Sequence, residues 1–310
     1  MRRYNDPNLV PGLMDEVKEY IKKTEKSMGL GFGDVAKPLL LSVRSGSRES
    51  MPGMMDTVLN IGLNSKTVVG LAKMAGNEHF AWDSYRRLIQ MFASLLLGVE
   101  HEAFEHALEA ARKSAGAEFD RDLTAEQLRD LVTEYKKLVV DASGKEFPED
   151  PMEQLTYAIS AVFGSWMNER AILYRKMYSI PEDWGTAVNI QAMVFGNLGD
   201  DSFTGVAFTR DPSTGENYFY GEFLPNAQGE DVVAGIRTPQ PLAKIGANGE
   251  YKAHSMEETE PELFNQLNDL RLTLERHYSD IQDIEFTIQQ RKVYMLQTRT
   301  GKRTAAASVR

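Results

Sequence analysis

The period of the hydrophobic pattern changes along the chain, and each change predicts a different kind of element. Residues 13–27 scatter apolar positions among lysines and acids, which reads as a helix polar over most of its surface. In "PLLLSV" (38–43) the apolar positions become nearly continuous. Leu39, Leu40, Leu41 and Val43 predict a strand covered on both faces. The run stops at Val43, and Arg44-Ser45-Gly46-Ser47-Arg48 follows. Residues 66–180 read as helical. One helix covers 82–97 and carries Arg86 and Arg87. A second follows Thr124, which with Gln127 fits a capping box. In it Leu128, Leu131, Val132, Tyr135, Leu138 and Val139 recur on one face, and Gly144 marks its stop. A third opens at Asp150-Pro151, an N-cap followed by proline at the first helical position, and runs past Trp166.

From about residue 184 the period becomes two. Val188, Ile190, Ala192 and Val194 share one face of a half-buried strand, with Asn189 and Gln191 on the other. "FTGVAFTRDPSTGENYFYGEF" predicts two strands around a turn at Asp211-Pro212-Ser213-Thr214-Gly215. A helix over 261–277 precedes "IEFTIQQRKVYMLQTR", two more strands around 289–292. The pattern divides the chain into 1–65, 66–180 and 181–310, an α+β arrangement with helices and antiparallel strands segregated.

Composition narrows the function. A net charge of -10 argues against a broad nucleic-acid surface, which needs clustered positive charge. With no cysteine, disulfide and thiolate chemistry are excluded. The greasiest run, "FASLLLGV", is too short to span a membrane, and "MRRYNDPNLVPG" has no apolar signal core, so a cytoplasmic protein is expected.

The last hairpin carries the most chemistry. Asp283, Glu285 and Thr287 are two apart and share a strand face, while Ile284, Phe286 and Ile288 turn to a core. Gln297 and Arg299 share a face of the next strand. Two carboxylates and an amide oxygen are hard donors that suit Mg²⁺, and an arginine beside them can hold a phosphate oxygen. The same spacing also describes a solvated face with an ion pair. The 44–48 segment offers N–H groups, hydroxyls and guanidinium forks that can wrap a polyphosphate, or it is a surface turn. The 209–215 segment is a second candidate phosphate cover or a plain hairpin turn. Neither a P-loop nor a dinucleotide fingerprint occurs. His101 and Glu105 read as a surface pair, Arg86 and Arg87 as solvated, and Met51, Met54 and Met55 as packing.

"LLLSVRSGSRESMPGMMDTVLNIGLN", "FAWDSYRRLIQMF", "WGTAVNIQAMVFGN", "TGVAFTRDPSTGE", "GEFLPNAQGEDVVAGIRTPQPL" and "IEFTIQQRKVYMLQTRTGKRT" together resemble the N-terminal nucleotide-binding domain of the pyruvate, phosphate dikinases over residues 13–304. The resemblance implies an ATP-grasp fold. Residues 1–65 would be the remnant of the first lobe, 66–180 a helical insertion and 181–310 the second lobe. It implies that Arg44 grips the triphosphate, that Gln191, Met193 and Val194 meet the adenine, and that Thr209, Ser213, Thr214 and Gly215 cover the phosphates. Glu285 and Gln297 would hold Mg²⁺ with Asp283 beside them, and Arg299 would be a second phosphate arginine. Arg44 and Arg299 are thus the catalytic candidates, with ATP and Mg²⁺ as cofactors. Gln228 and Glu230 lie in a family signature without an assigned role.

In that family the β-phosphoryl of ATP passes to a histidine on a swivelling domain, the γ-phosphoryl passes to phosphate, and a barrel domain converts pyruvate to phosphoenolpyruvate. The chain holds neither of those partner domains, and His79, His101, His106, His254 and His277 match no phosphohistidine motif, so it is not expected to complete the reaction alone. It also lacks the family's initial "GGKG"-like lysine loop. Two expectations follow: an incomplete first lobe that leaves the 39–43 strand partly uncovered, and, as the alternative function, a non-catalytic remnant or interaction module that binds nucleotide weakly.

Overall fold

The computed structural model describes residues 10–309 apart from 235–236 and 247–248, and describes the backbone alone at 230, 233 and 234. The expected Glu230 side chain therefore lies outside the described residues. The chain forms two compact units, up to Met193 and from Val194.

In the first unit, helix α1 (Leu13–Met28) buries Ile21 and exposes most of its surface, as its polar pattern requires. Strand β1 (Leu41–Gly46) is the centre of an antiparallel sheet with β2 (Thr57–Ile61) on one side and β3 (Ala187–Ala192) on the other. The helices α2 (Thr67–Ala75), α3 (Glu78–Phe92), α4 (His101–Ala115), α5 (Ala125–Ser143), α6 (Pro151–Gly164) and α7 (Glu169–Tyr178) follow β2. Of these, α6 packs on β1, β2 and β3. Strand β3 falls in the sequence stretch 181–310, but its backbone pairs with β1 and so belongs to the first unit.

Two expectations about β1 are corrected. The strand does not end at Val43. Arg44 pairs with Thr57 on one side and Asn189 on the other, and the ladder with β3 runs on through Ser45 and Gly46. Nor is the run uncovered. Residues 39–43 are 0–4% exposed, because β2, β3 and α6 enclose them.

The helical signals act where they were read. Thr124 and Gln127 exchange side chain-to-backbone hydrogen bonds at the start of α5, and Leu128, Leu131, Val132, Tyr135 and Val139 are buried. Gly144 ends α5 in the left-handed conformation, and Asp150 caps α6 by accepting from Glu153 N–H. Helix α3 begins earlier than its apolar face, because the Asn77 side chain accepts from Phe80 N–H. Met51 is buried against Trp166 and Ala171, with Met54 and Met55 packed around them, so the methionines are core.

Arg86 is not solvated. It is 3% exposed and donates through Nε and Nη2 to one Asp83 oxygen and through Nη1 to Gln90. Arg87 Nε donates to the other Asp83 oxygen at 2.8 Å. Positions three and four apart on α3 bring both guanidiniums onto one carboxylate. Burial pushes that carboxyl up, but Arg86 and then Arg87 overcome it and hold Asp83 at about 2.

The second unit is a five-stranded antiparallel sheet among the described residues. Its strands are β4 (Phe203–Phe208), β5 (Tyr220–Pro225), β6 (Gln240–Pro241), β7 (Gln282–Gln289) and β8 (Lys292–Thr300), in the spatial order β6-β5-β4-β7-β8. After β5 come the short helices α8 (Gly229–Ala234) and α9 (Met256–Thr259), and then α10 (Pro261–Tyr278), which packs on β7 and β8. Phe203, Phe223, Leu263, Leu267, Ile284, Phe286 and Ile288 form the core between helix and sheet.

Candidate functional site

The candidate residues fall into two groups, one in each compact unit. In the first unit they sit on a single sheet face. The register pairs Ser42 with Gln191, Arg44 with Asn189 and Gly46 with Ala187. Side chains two apart on neighbouring strands share a face, so Arg44, Asn189 and Gln191 lie together, while the paired Val43 and Ile190 turn to the opposite face, where Val43 is fully buried. A Cβ at Gly46 would meet Asn189 Nδ2 at 2.6 Å, so glycine is required for that amide to lie across the strand beside Arg44. Asn189 was absent from the sequence candidates. Its only signal was its place on the polar side of the alternation.

Gln191, Met193 and Val194 lie at the boundary between the units. Gln191 C=O accepts from the Ser42 hydroxyl, and Met193 N–H donates to the C=O of Leu40, the residue before β1, so that N–H is already paired within the sheet's edge. Past β1, Arg48 stacks over the Trp184 ring with 4.7 Å to the centroid and stands apart from the strand.

In the second unit the 209–215 segment differs from a loop of open N–H groups. Thr209 has 0% exposure, and its hydroxyl accepts from Gln282 N–H. It anchors the loop's root on β7 and is not itself a ligand-facing group. Asp211 accepts from the N–H groups of Ser213 and Thr214 through its carboxylate and from that of Gly215 through its carbonyl. The Tyr218 hydroxyl also donates to the Asp211 carboxylate. These bonds hold the carboxyl below its ordinary range against the cost of burial. The loop's donors are turned inward on Asp211; the Thr214 hydroxyl is taken up by Glu216 N–H, and the exposed Ser213 side chain lies at the outer side.

The hairpin of β7 and β8 gathers its residues through a feature that alternation does not show. From the turn, Ile288 pairs with Val293, Thr287 with Tyr294 and Phe286 with Met295. Continued evenly, that ladder would set Glu285 opposite Leu296 and send Gln297 to the core. A register shift follows Phe286 instead, and Glu285 pairs with Gln297 and Asp283 with Arg299. Leu296 is the extra residue of a β-bulge. It lets Val293 and Met295 pack on the core while Gln297 and Arg299, although of the same parity, take the polar face. Substituting Met295→Asn is therefore expected to lower stability by about 1–3 kcal/mol, the usual cost of burying an unpaired polar group. Thermal unfolding reads this out, and an unchanged midpoint would place Met295 on the polar face.

On that face Arg299 Nη2 donates to Gln297 Oε1 at 2.7 Å and lies 3.8 Å from Glu285 Oε1. Burial pushes the Asp283 carboxyl upward; Arg299 draws it down and Glu285 pushes it up, and the net direction is up. A cation at this face would relieve the Asp283 carboxyl of the nearby negative charge. Among the described residues no group of three or more His, Cys, Asp or Glu side chains is arranged to hold a metal. The donor set here is two carboxylates and an amide oxygen, which fits Mg²⁺, since that ion takes one or two carboxylates and completes its shell with waters and phosphate oxygens. His101 and Glu105 form an exposed pair at 3.4 Å. No helix among the described residues is long and apolar enough to cross a membrane.

Residues 9–265 and 249–310 match the family described as pyruvate phosphate dikinase, AMP/ATP-binding domain. Pyruvate, phosphate dikinase of Rhizobium meliloti (strain 1021) is 56% identical over 301 residues, covering 96% of this chain and 33% of that protein. The Clostridium symbiosum enzyme is 52% identical over 298 residues, with 96% and 33% covered. The chloroplastic enzyme of Flaveria pringlei is 53% identical over 306 residues, with 99% and 31% covered. The chain thus spans about a third of the length of these relatives.

Proposed function

The chain belongs to the pyruvate phosphate dikinase AMP/ATP-binding family, and from that premise we propose that it binds Mg·ATP as an ATP-grasp domain and presents the β-phosphoryl for transfer to a histidine carried on another domain. The observation that carries this reading is the bulged pairing of Glu285 with Gln297 and of Asp283 with Arg299 on one strand face. In this reading Glu285 and Gln297 hold Mg²⁺ and Asp283 stands beside them. The bound ion neutralises charge on the phosphate oxygens. Arg44, fixed in the central strand of its sheet, and Arg299 grip the polyphosphate. Gln191, Met193 and Val194 receive the adenine, and the 209–215 loop covers the phosphates with Ser213 outermost and Thr214 and Gly215 fixing its turn. Such a site positions phosphoryl groups and needs no covalent residue of its own. ATP and phosphate are the small-molecule partners, and the histidine-bearing and pyruvate-binding domains are the macromolecular ones. We place the protein in the cytoplasm.

Calorimetric titration with a non-hydrolysable ATP analogue tests this. Wild type should bind more tightly with Mg²⁺ present, and Glu285→Gln should lose at least about tenfold in that Mg²⁺-dependent affinity, the equivalent of about 1.4 kcal/mol. Equal affinity with and without Mg²⁺, in both proteins, would refute the metal assignment. An absence of binding by folded wild type would favour the interaction-module reading.

A further inference from the structure

Arg299 makes its closest contacts with the oxygens that the metal reading requires. One guanidinium nitrogen, Nη2, takes the Gln297 amide oxygen at 2.7 Å and lies 3.8 Å from a Glu285 oxygen. Asp283 stands directly across the ladder from the same residue. Mg²⁺ binds its oxygens at roughly 2.0–2.1 Å and demands their lone pairs in octahedral directions. A guanidinium hydrogen-bonded to Gln297 Oε1 takes one of that oxygen's two lone pairs and sets a positive charge beside the donors an ion would need. The two cations therefore compete for one set of donors.

We propose that Arg299 is an internal counter-ion that holds the cation position of the nucleotide-free domain and yields it only when a polyphosphate offers the guanidinium a new anion. This rests on the assignment of Glu285 and Gln297 to the metal. It goes further, because it makes Arg299 a device that couples metal to nucleotide. The bare divalent ion meets a site already filled by charge. A nucleotide phosphate draws the guanidinium away in a bidentate contact and frees Gln297 and Glu285 together. Linkage then requires reciprocity: the nucleotide tightens the ion by the same factor that the ion tightens the nucleotide.

The test uses Mn²⁺ as the probe, followed by electron paramagnetic resonance, which reads free and bound ion without any turnover. Wild type, Arg299→Met and Arg299→Lys are titrated with Mn²⁺ alone and again with a saturating non-hydrolysable ATP analogue. Wild type should bind Mn²⁺ weakly alone and more tightly with nucleotide, within the roughly 5–150-fold range of coupled sites. Arg299→Met should bind Mn²⁺ alone about tenfold more tightly than wild type and show little further gain with nucleotide. Arg299→Lys keeps the charge without the fork and should stay close to wild type for Mn²⁺ alone. If nucleotide tightens Mn²⁺ in wild type but Arg299→Met binds the bare ion no better, the counter-ion proposal fails and the metal assignment stands. If nucleotide leaves wild-type Mn²⁺ binding unchanged, the metal assignment fails and takes the counter-ion proposal with it.

Discussion

Arg44→Ala is expected to weaken Mg·ATP binding by roughly ten- to a hundredfold, since hydrogen bonds to a charged group contribute about 1.5–3 kcal/mol. The size of the effect follows from where the residue sits. Its backbone is paired on both sides, to Thr57 and to Asn189, in a strand whose apolar neighbours are fully enclosed. The guanidinium is therefore carried on a fixed base, and little ordering entropy is lost when a phosphate arrives. Arg48→Ala should cost much less, because Arg48 lies beyond the strand and stacks over Trp184. Calorimetric titration of both variants decides the matter. Equal affinity for wild type and Arg44→Ala would make the segment a scaffold and not a phosphate grip.

Asp83→Ala is expected to destabilise the first unit by about 3–5 kcal/mol, because it leaves the buried Arg86 with only the more distant Asp120, at 3.7 Å, as a counter-charge. Arg86 and Arg87 share that one carboxylate, and the Gln90 amide oxygen completes the Arg86 fork. The pH dependence has a definite sign. The folded carboxyl lies at about 2, below its usual 3.8. Its contribution is present in full above the unfolded value and is lost as pH falls from about 4 toward about 2, amounting to about 2 kcal/mol. Chemical denaturation at pH 7 and at pH 3, followed by circular dichroism, measures both effects. The wild type should lose stability over that interval, and Asp83→Ala should lose less, having already lost it at neutrality. A variant as stable as wild type at pH 7 would show that the pair is not coupled to folding.

The function of the apolar run at 39–43 was legible because continuous apolar residues in a short segment have few ways to be buried, and a strand enclosed by two neighbours and α6 is one of them. Its end was not legible. Polar composition after Val43 suggested a loop, but backbone groups pair regardless of side chain, and β3, more than 140 residues later in the chain, supplies the partners for Arg44, Ser45 and Gly46. The same limit applied to Arg86. Nothing local announces that a helical arginine is buried; its neighbours Asp83 and Gln90 are at helical spacing, but α4 and α5 close over them only in the packed unit.

By itself the sequence determined the elements whose causes are local: the capped helices α5 and α6, the turn at Asp211, and the apolar core face of β7. It also put forward Arg44, Asp283, Glu285, Gln297 and Arg299 as candidates by type and spacing, with a solvated strand face and a surface turn as the alternatives. The tertiary structure alone decided which of them meet. Gln297 and Arg299 share parity with Val293 and Met295, so period two assigns all four to one face; one bulged residue, Leu296, divides them between core and site. A bulge is a choice between two pairing registers, and that choice is made by the burial of Phe286 and Ile288 on one side and by the turn on the other. Gln290 and Arg291 adopt positive φ there and are held from outside the hairpin by Ser202 and Asp201. Those partners lie about ninety residues away in the sequence, and no pattern read along the chain can contain them.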